Sequence, residues 1–72
     1  MELTLNNLPL NAQAIIISNP STQLQELGFM TGARVRILSR ACYNGPIAVR
    51  VDSASFALRR EEAEQIYVEL IQ

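Results

Sequence analysis

The stretch Leu27-Gly28-Phe29-Met30-Thr31-Gly32 follows a run that reads as a short helix and precedes one that reads as a strand. Two of the chain's three glycines stand here, with two bulky apolar residues between them. Gly28 occupies the place where a helix commonly ends in a left-handed residue, a conformation that costs glycine almost nothing. Gly32 marks a second turn, after which the hydrophobic period changes. Phe29 and Met30, held between two hinges, serve either as a plug for the core or as a presented contact. A chain this short needs apolar volume, which places one of them inside and one at the rim.

Upstream, Ala12 to Ile17 carries three consecutive isoleucines and stops at Ser18-Asn19-Pro20-Ser21, a strand followed by a helix start. Asn19 with Pro20 at the first helical position is one candidate cap, and Ser21 with Thr22 is the other. Leu24 and Leu27 then fall on one helical face, through which a helix of about residues 20–27 must dock, since so short a helix is unstable alone. Before Ala12, Leu3 to Leu10 contains Asn6-Asn7 and Pro9 and reads as a lead-in loop.

Downstream the period becomes 2. Val35 and Ile37 point one way, and Arg34, Arg36, Leu38 and Arg40 the other. Ile47, Val49 and Val51 alternate in the same manner, so Ala41-Cys42-Tyr43-Asn44-Gly45-Pro46 is a hairpin reversal. Pro46 disfavours helical-type angles at Gly45, which argues for a loop longer than a two-residue turn, with Tyr43 displayed on it. Ser55 to Leu58 supplies a further strand, Arg59 to Gln65 a helical turn, and Ile66, Val68 and Leu70 a closing strand. Five short strands with one inserted helix predict a mainly β domain over residues 1–72, a small barrel whose closure would remove its sticky edges.

Composition narrows the function. The 72 residues are 49% apolar and 18% charged, too apolar for disorder. The formal net charge is −1, which does not favour nucleic acid, although all six basic residues are arginine and all lie from Arg34 onward. One cysteine and no histidine exclude a disulfide within the chain and a zinc or haem site built of His and Cys. The opening Met1-Glu2-Leu3-Thr4 has no basic region before an apolar run, and no run approaches the ~20 residues of a membrane span. A cytoplasmic, reduced location is the expectation.

The chemistry-bearing side chains have plain readings beside sharper ones. Arg34, Arg36 and Arg40 on one strand, with Arg50 across the hairpin, make a solvated sheet face or a surface for an acidic or phosphate-bearing partner. Glu61, Glu62 and Glu64 on a single turn read as a solvated face that favours a helix start, not as a metal site. Cys42 has no histidine to activate it, and no phosphate loop, Ser/His pairing or carboxylate pair is present. Nothing in the chain supports catalysis.

The runs LQELGFMTGARVRIL (24–38), NGPIAVRV (44–51) and FALRREEAEQIYVE (56–69), in this order and spacing, resemble the FeoA family, the small cytosolic component of bacterial ferrous-iron uptake. The leading LPLNAQAIIIS (8–18) corresponds to that family's opening Leu-Pro-x-Gly strand, with Asn11 in place of its glycine. Two further departures are Cys42-Tyr43-Asn44 where Pro-Leu-Gly is common, and Ser53-Ala54 where a turn glycine is usual. The resemblance implies an SH3-like barrel and a non-enzymatic accessory acting on the cytosolic part of a FeoB-type ferrous-iron transporter. It implies no cofactor, and transition-metal binding attaches to it as a family-level term only. No nucleic acid and no membrane insertion are expected, and a weak homo-oligomer is left open. The alternative is a regulatory barrel related to the C-terminal domain of iron-dependent repressors. The residues expected at a partner contact are Leu27, Phe29, Met30, Arg40, Tyr43 and Arg50.

Without histidine and with a single thiol, the chain is expected to show no stoichiometric ferrous or zinc site. Isothermal titration should find none of micromolar affinity or tighter, which corresponds to about −8 kcal/mol.

Overall fold

Alternation of apolar and polar residues builds a sheet, and the computed structural model of the chain describes it over residues 2–41 and 45–71. Six strands form: β1 (Glu2–Thr4), β2 (Gln13–Ser18), β3 (Arg34–Arg40), β4 (Ile47–Val51), β5 (Ala54–Leu58) and β6 (Tyr67–Leu70). They are antiparallel throughout, in the order β1-β6-β2-β3-β4-β5. Two short helices, α1 (Thr22–Glu26) and α2 (Arg60–Ala63), fill the β2–β3 and β5–β6 connections. The architecture is the expected mainly β, SH3-like one, with six strands instead of five. Among the described residues β1 and β5 are not paired with each other, so the curled sheet stays open.

The sixth strand comes from the segment read as a lead-in loop. Glu2–Thr4 pairs with β6, and a 3-10 turn at Leu5–Asn7 follows. Leu5 and Leu8 are wholly buried, so Asn6, Asn7 and Pro9 punctuate a core-forming segment instead of marking a loose one. At three residues, β1 is a short edge strand, which limits the ladder it offers to other chains.

The inner face carries Ala14 and Ile16 of β2, Val35 and Ile37 of β3, Ile47, Val49 and Val51 of β4, Leu58 of β5 and Val68 of β6. Phe29 is the largest fully buried side chain, and its ring meets Phe56 at 5.6 Å between centroids, tilted by 57°. That separation and tilt lie in the favourable range for aromatic pairs.

Two loop positions take up positive φ without glycine. Asn11 sits at φ +66, a region that asparagine tolerates. Val51 and Ala54 close the β4–β5 hairpin around two residues, and Asp52 carries the positive φ of +53 there, ahead of Ser53.

Helix α1 is shorter than expected, Thr22–Glu26, and Ser21 is its cap, with its hydroxyl accepting from the Leu24 amide at 3.3 Å. Only Leu24 docks; Leu27 lies 48% exposed. The reason is the helix end. Phe29 N–H donates to Leu24 O at 3.1 Å and Gly28 N–H to Gln25 O at 3.0 Å, a Schellman closure in which Gly28 stands at φ +118. This closure turns the chain toward the core at Phe29 and leaves Leu27 outside.

Gly32, at φ +93, completes the connector by donating to Ile16 O at 2.7 Å, while Ile16 N–H returns to Ala33 O at 3.0 Å. A Cβ at Gly28 would meet Val51 Cγ1 at an ordinary 3.8 Å, and one at Gly32 would meet nothing within 4 Å. The strain of substitution is therefore in the backbone. Gly28→Ala and Gly32→Ala should each lower stability by about 1–3 kcal/mol in denaturant melts, despite their different surroundings. A negligible effect at either position would show that the connector can relax its φ.

Candidate functional site

The surface features that could engage another molecule fall in three places, and the fold keeps them apart. The first is the Leu27–Gly32 connector. Phe29 enters the core, while Leu27 and Met30 on either side of it are 48% and 58% exposed. The expected partner residue Phe29 therefore has no surface to offer; as the plug it holds the others in place.

What fixes the connector is Asn19, the one buried polar residue of the described core. Its Nδ2 donates to Phe29 O at 2.8 Å, its Oδ1 accepts from Ser21 N–H at 3.0 Å, and its backbone carbonyl accepts from Gln25 Nε2 at 2.6 Å. Asparagine is thus neither the helix cap nor a loop spacer. Its short amide turns the chain into α1 and grips the segment that leaves α1. The sequence signal was the Asn-Pro-Ser cluster itself, which marked a turn but could not name the distant carbonyl. Asn19→Ala strands the buried Phe29 carbonyl and should cost about 1–3 kcal/mol, measured as a shift in denaturant midpoint.

The second place is the loop end of the β3–β4 hairpin. A one-residue register shift falls between Ile37, opposite Val49, and Ser39, opposite Ala48. Such a bulge carries the following residues to the other face of the strand. Arg40 comes to lie opposite the buried Ile47, and its guanidinium donates to the backbone carbonyls of Asn6, at 3.0 Å, and Leu8. Arg40 therefore does not share a face with Arg34 and Arg36, and its charge fastens the segment after β1 onto the hairpin. Beside it lies a cleft of about 170 Å³ lined by Asn6, Asn7, Arg40, Gly45, Ile47 and Arg60. Tyr43, expected as the anchor of this loop, lies outside the described residues, as do Cys42 and Asn44.

The third place is the outward face of the sheet. Register rows run Gln13, Arg36, Arg50, Ser55 and, beside them, Glu69, Ile15, Arg34. Arg36 and Arg50 stand directly opposite each other. Arg50 belongs to this face. Its Nε makes a long contact of 3.4 Å with the Asp52 carbonyl.

The acidic turn is accounted for structurally. Glu62 Oε1 accepts from the Arg59 amide at 2.8 Å at the start of α2, and Glu64 pairs with Arg60 at 3.1 Å. Among the described residues no three His, Cys, Asp or Glu side chains converge as metal ligands. No helix there is long and apolar enough to cross a membrane.

Comparison with known proteins gives this arrangement its relatives. The family model for the FeoA domain matches residues 3–70. The zinc complex of FeoA from Stenotrophomonas maltophilia, described as a prokaryotic SH3 domain protein and a candidate ferrous iron transport activating factor, is 33% identical. It superimposes with a TM-score of 0.80 over 93% of this chain and 89% of its own. A FeoA-like protein from Clostridium acetobutylicum is 26% identical, with a TM-score of 0.86 over 99% and 88% of the two chains. A manganese-dependent transcriptional repressor is 25% identical and has a TM-score of 0.82 over 97% of this chain, but only 42% of the repressor is covered. No curated protein matches the chain at a significant level. With a family model spanning nearly its whole length and an SH3-like sheet that superimposes on FeoA proteins, the chain belongs to the FeoA family.

Proposed function

We propose that this FeoA-family chain is a non-enzymatic, cytoplasmic accessory of bacterial ferrous-iron uptake that works by docking on the cytosolic part of a FeoB-type transporter. The observation that carries the reading is the pair Leu27 and Met30, exposed apolar side chains on a connector whose backbone is held from both ends. Exposed apolar groups on a flexible loop would lose much of their binding energy to ordering. Here the Schellman closure, the Asn19 amide and the two Ile16 hydrogen bonds have already ordered the segment. Tyr43 on the hairpin loop is proposed as a further anchor, since tyrosine gives a large contact area at a low entropy cost. The S. maltophilia relative, named as a candidate activating factor of ferrous iron transport, supports the assignment to transport.

The repressor match favours a second reading, a regulatory barrel of the kind found within metal-dependent repressors. The two readings differ in what the Leu27–Met30 surface meets, and one set of variants separates them.

Leu27→Asp and Met30→Asp change exposed positions and should alter stability by no more than about 0.5 kcal/mol. Each should nevertheless weaken capture of the transporter's cytosolic domain by about tenfold or more and lower ferrous-iron uptake. Tyr43→Ala should act in the same direction. Phe29→Ala, by contrast, empties the core at a cost of about 3–5 kcal/mol and should unfold much of the population. Unchanged capture and uptake in both aspartate variants would reject the docking surface. An altered metal-responsive reporter with uptake intact would favour the regulatory reading.

A further inference from the structure

The outward face of β3 and β4 carries a charge arrangement that docking through Leu27 and Met30 does not use. Arg36 and Arg50 are direct cross-strand partners, and Arg34 lies two residues from Arg36 on the same face. Like charges set directly opposite in a sheet oppose folding. Among the described residues none of these three arginines forms an ion pair; the ion pair found is that of Arg60 with Glu64, on α2. The three, with Gln13, Val35 and Asp52, line a shallow hollow of about 230 Å³. Arg36 is of intermediate burial, while Arg34 and Arg50 on the same face are exposed.

We infer that this hollow is a binding surface for an extended acidic segment of a partner protein, whose carboxylates would be received by Arg34, Arg36 and Arg50. Arg34 and Arg36 repeat at about 7 Å along their strand, the spacing at which an extended chain presents alternate side chains. Each guanidinium can take a carboxylate through two parallel hydrogen bonds.

Phosphate is the poorer fit for a structural reason. Phosphate cradles draw on free backbone N–H groups at turns or helix starts. Strands β3 and β4 are interior to the sheet, with ladders on both sides, so their amides are committed. Single-stranded nucleic acid would also need stacking aromatics, and the register rows that carry the arginines hold none.

The test uses the intact chain and a fluorescein-labelled decapeptide of alternating glutamate and serine, followed by anisotropy at low ionic strength. Saturable binding is expected, weakening steadily as salt is added. Arg36→Glu and Arg50→Glu should each reduce it by about tenfold or more. Either change also replaces a like-charge pair by an opposite-charge one, so Tm should rise by about 1–6 °C while binding falls. A stabilised protein that no longer binds separates loss of a ligand site from loss of fold. The proposal is overturned by absence of saturable binding, or by variants that bind as wild type does. Tighter binding of inorganic pyrophosphate or a single-stranded oligonucleotide than of the peptide would also overturn it. So would a dimer of the chain itself that Arg50→Glu dissolves. No transporter takes part in the assay, so its failure would leave docking through Leu27 and Met30 untouched.

Discussion

A single side-chain amide, that of Asn19, ties the start of the inserted helix to the end of it. Its donor holds the carbonyl of Phe29 and its acceptor holds the amide of Ser21, inside a core that is otherwise apolar. A buried amide is costly unless both of its ends are satisfied, and here they are. The helix it frames has only five residues, far below the length stable by itself. Without this clamp and the Schellman closure that follows, the backbone would not select Phe29 over Leu27 and Met30 for the core. The core would then lose its largest side chain and the aromatic contact with Phe56.

The same connector puts Phe29 inside while Leu27, two residues before it, and Met30, one residue after it, stay outside. Leu27, Phe29 and Met30 are all apolar, and hydrophobicity alone would bury all three. Backbone geometry decides instead. Gly28 at φ +118 reverses the chain's direction between Leu27 and Phe29, and the Met30 amide closes back on the Gly28 carbonyl at 2.8 Å. The exposed pair follows from how the helix ends and from a tight turn, both fixed by backbone hydrogen bonds. In β3 a bulge does comparable work on charge. Alternation would put Arg34, Arg36 and Arg40 on one face, but the register shift after Ile37 sends Arg40 to the opposite one. There it satisfies two backbone carbonyls of the segment after β1.

Much of this was legible from the residues. Period 2 from Arg34 onward located β3, β4 and their hairpin, and glycine spacing located the helix end with one of Phe29 and Met30 inside, without deciding which. What alternation does not encode is a bulge, since a single extra residue leaves the local pattern intact while inverting everything after it. This is why Arg40 was assigned to the wrong face. Leu3 to Leu10 was misread for a different reason. Asn6-Asn7 and Pro9 are turn residues, and they outweighed Leu3, Leu5 and Leu8, whose burial depends on pairing with β6 some sixty residues away. Non-local pairing of a three-residue strand leaves almost no local signature. Asn19 was recognised as a turn residue, but its decisive partner, the Phe29 carbonyl, is a main-chain group that sequence does not mark.

The resulting surface separates two kinds of interaction. Leu27 and Met30 offer apolar area on an ordered backbone, which acts chiefly on how slowly a complex comes apart. Arg34, Arg36 and Arg50 offer a local positive field on a chain whose net charge is −1. Such a field acts on encounter rate and orientation and fades with salt. Asp52 lines the same hollow and Glu69 shares a register row with Arg34, yet among the described residues neither forms an ion pair with these arginines, and the ion pair found is that of Glu64 with Arg60. Moving one of those acids across the hairpin would stabilise the sheet and silence the face, and the sequence does not make that exchange. The unpaired arginines lower the stability of a very small domain, and that is the physical ground for assigning them a ligand rather than a purely structural role.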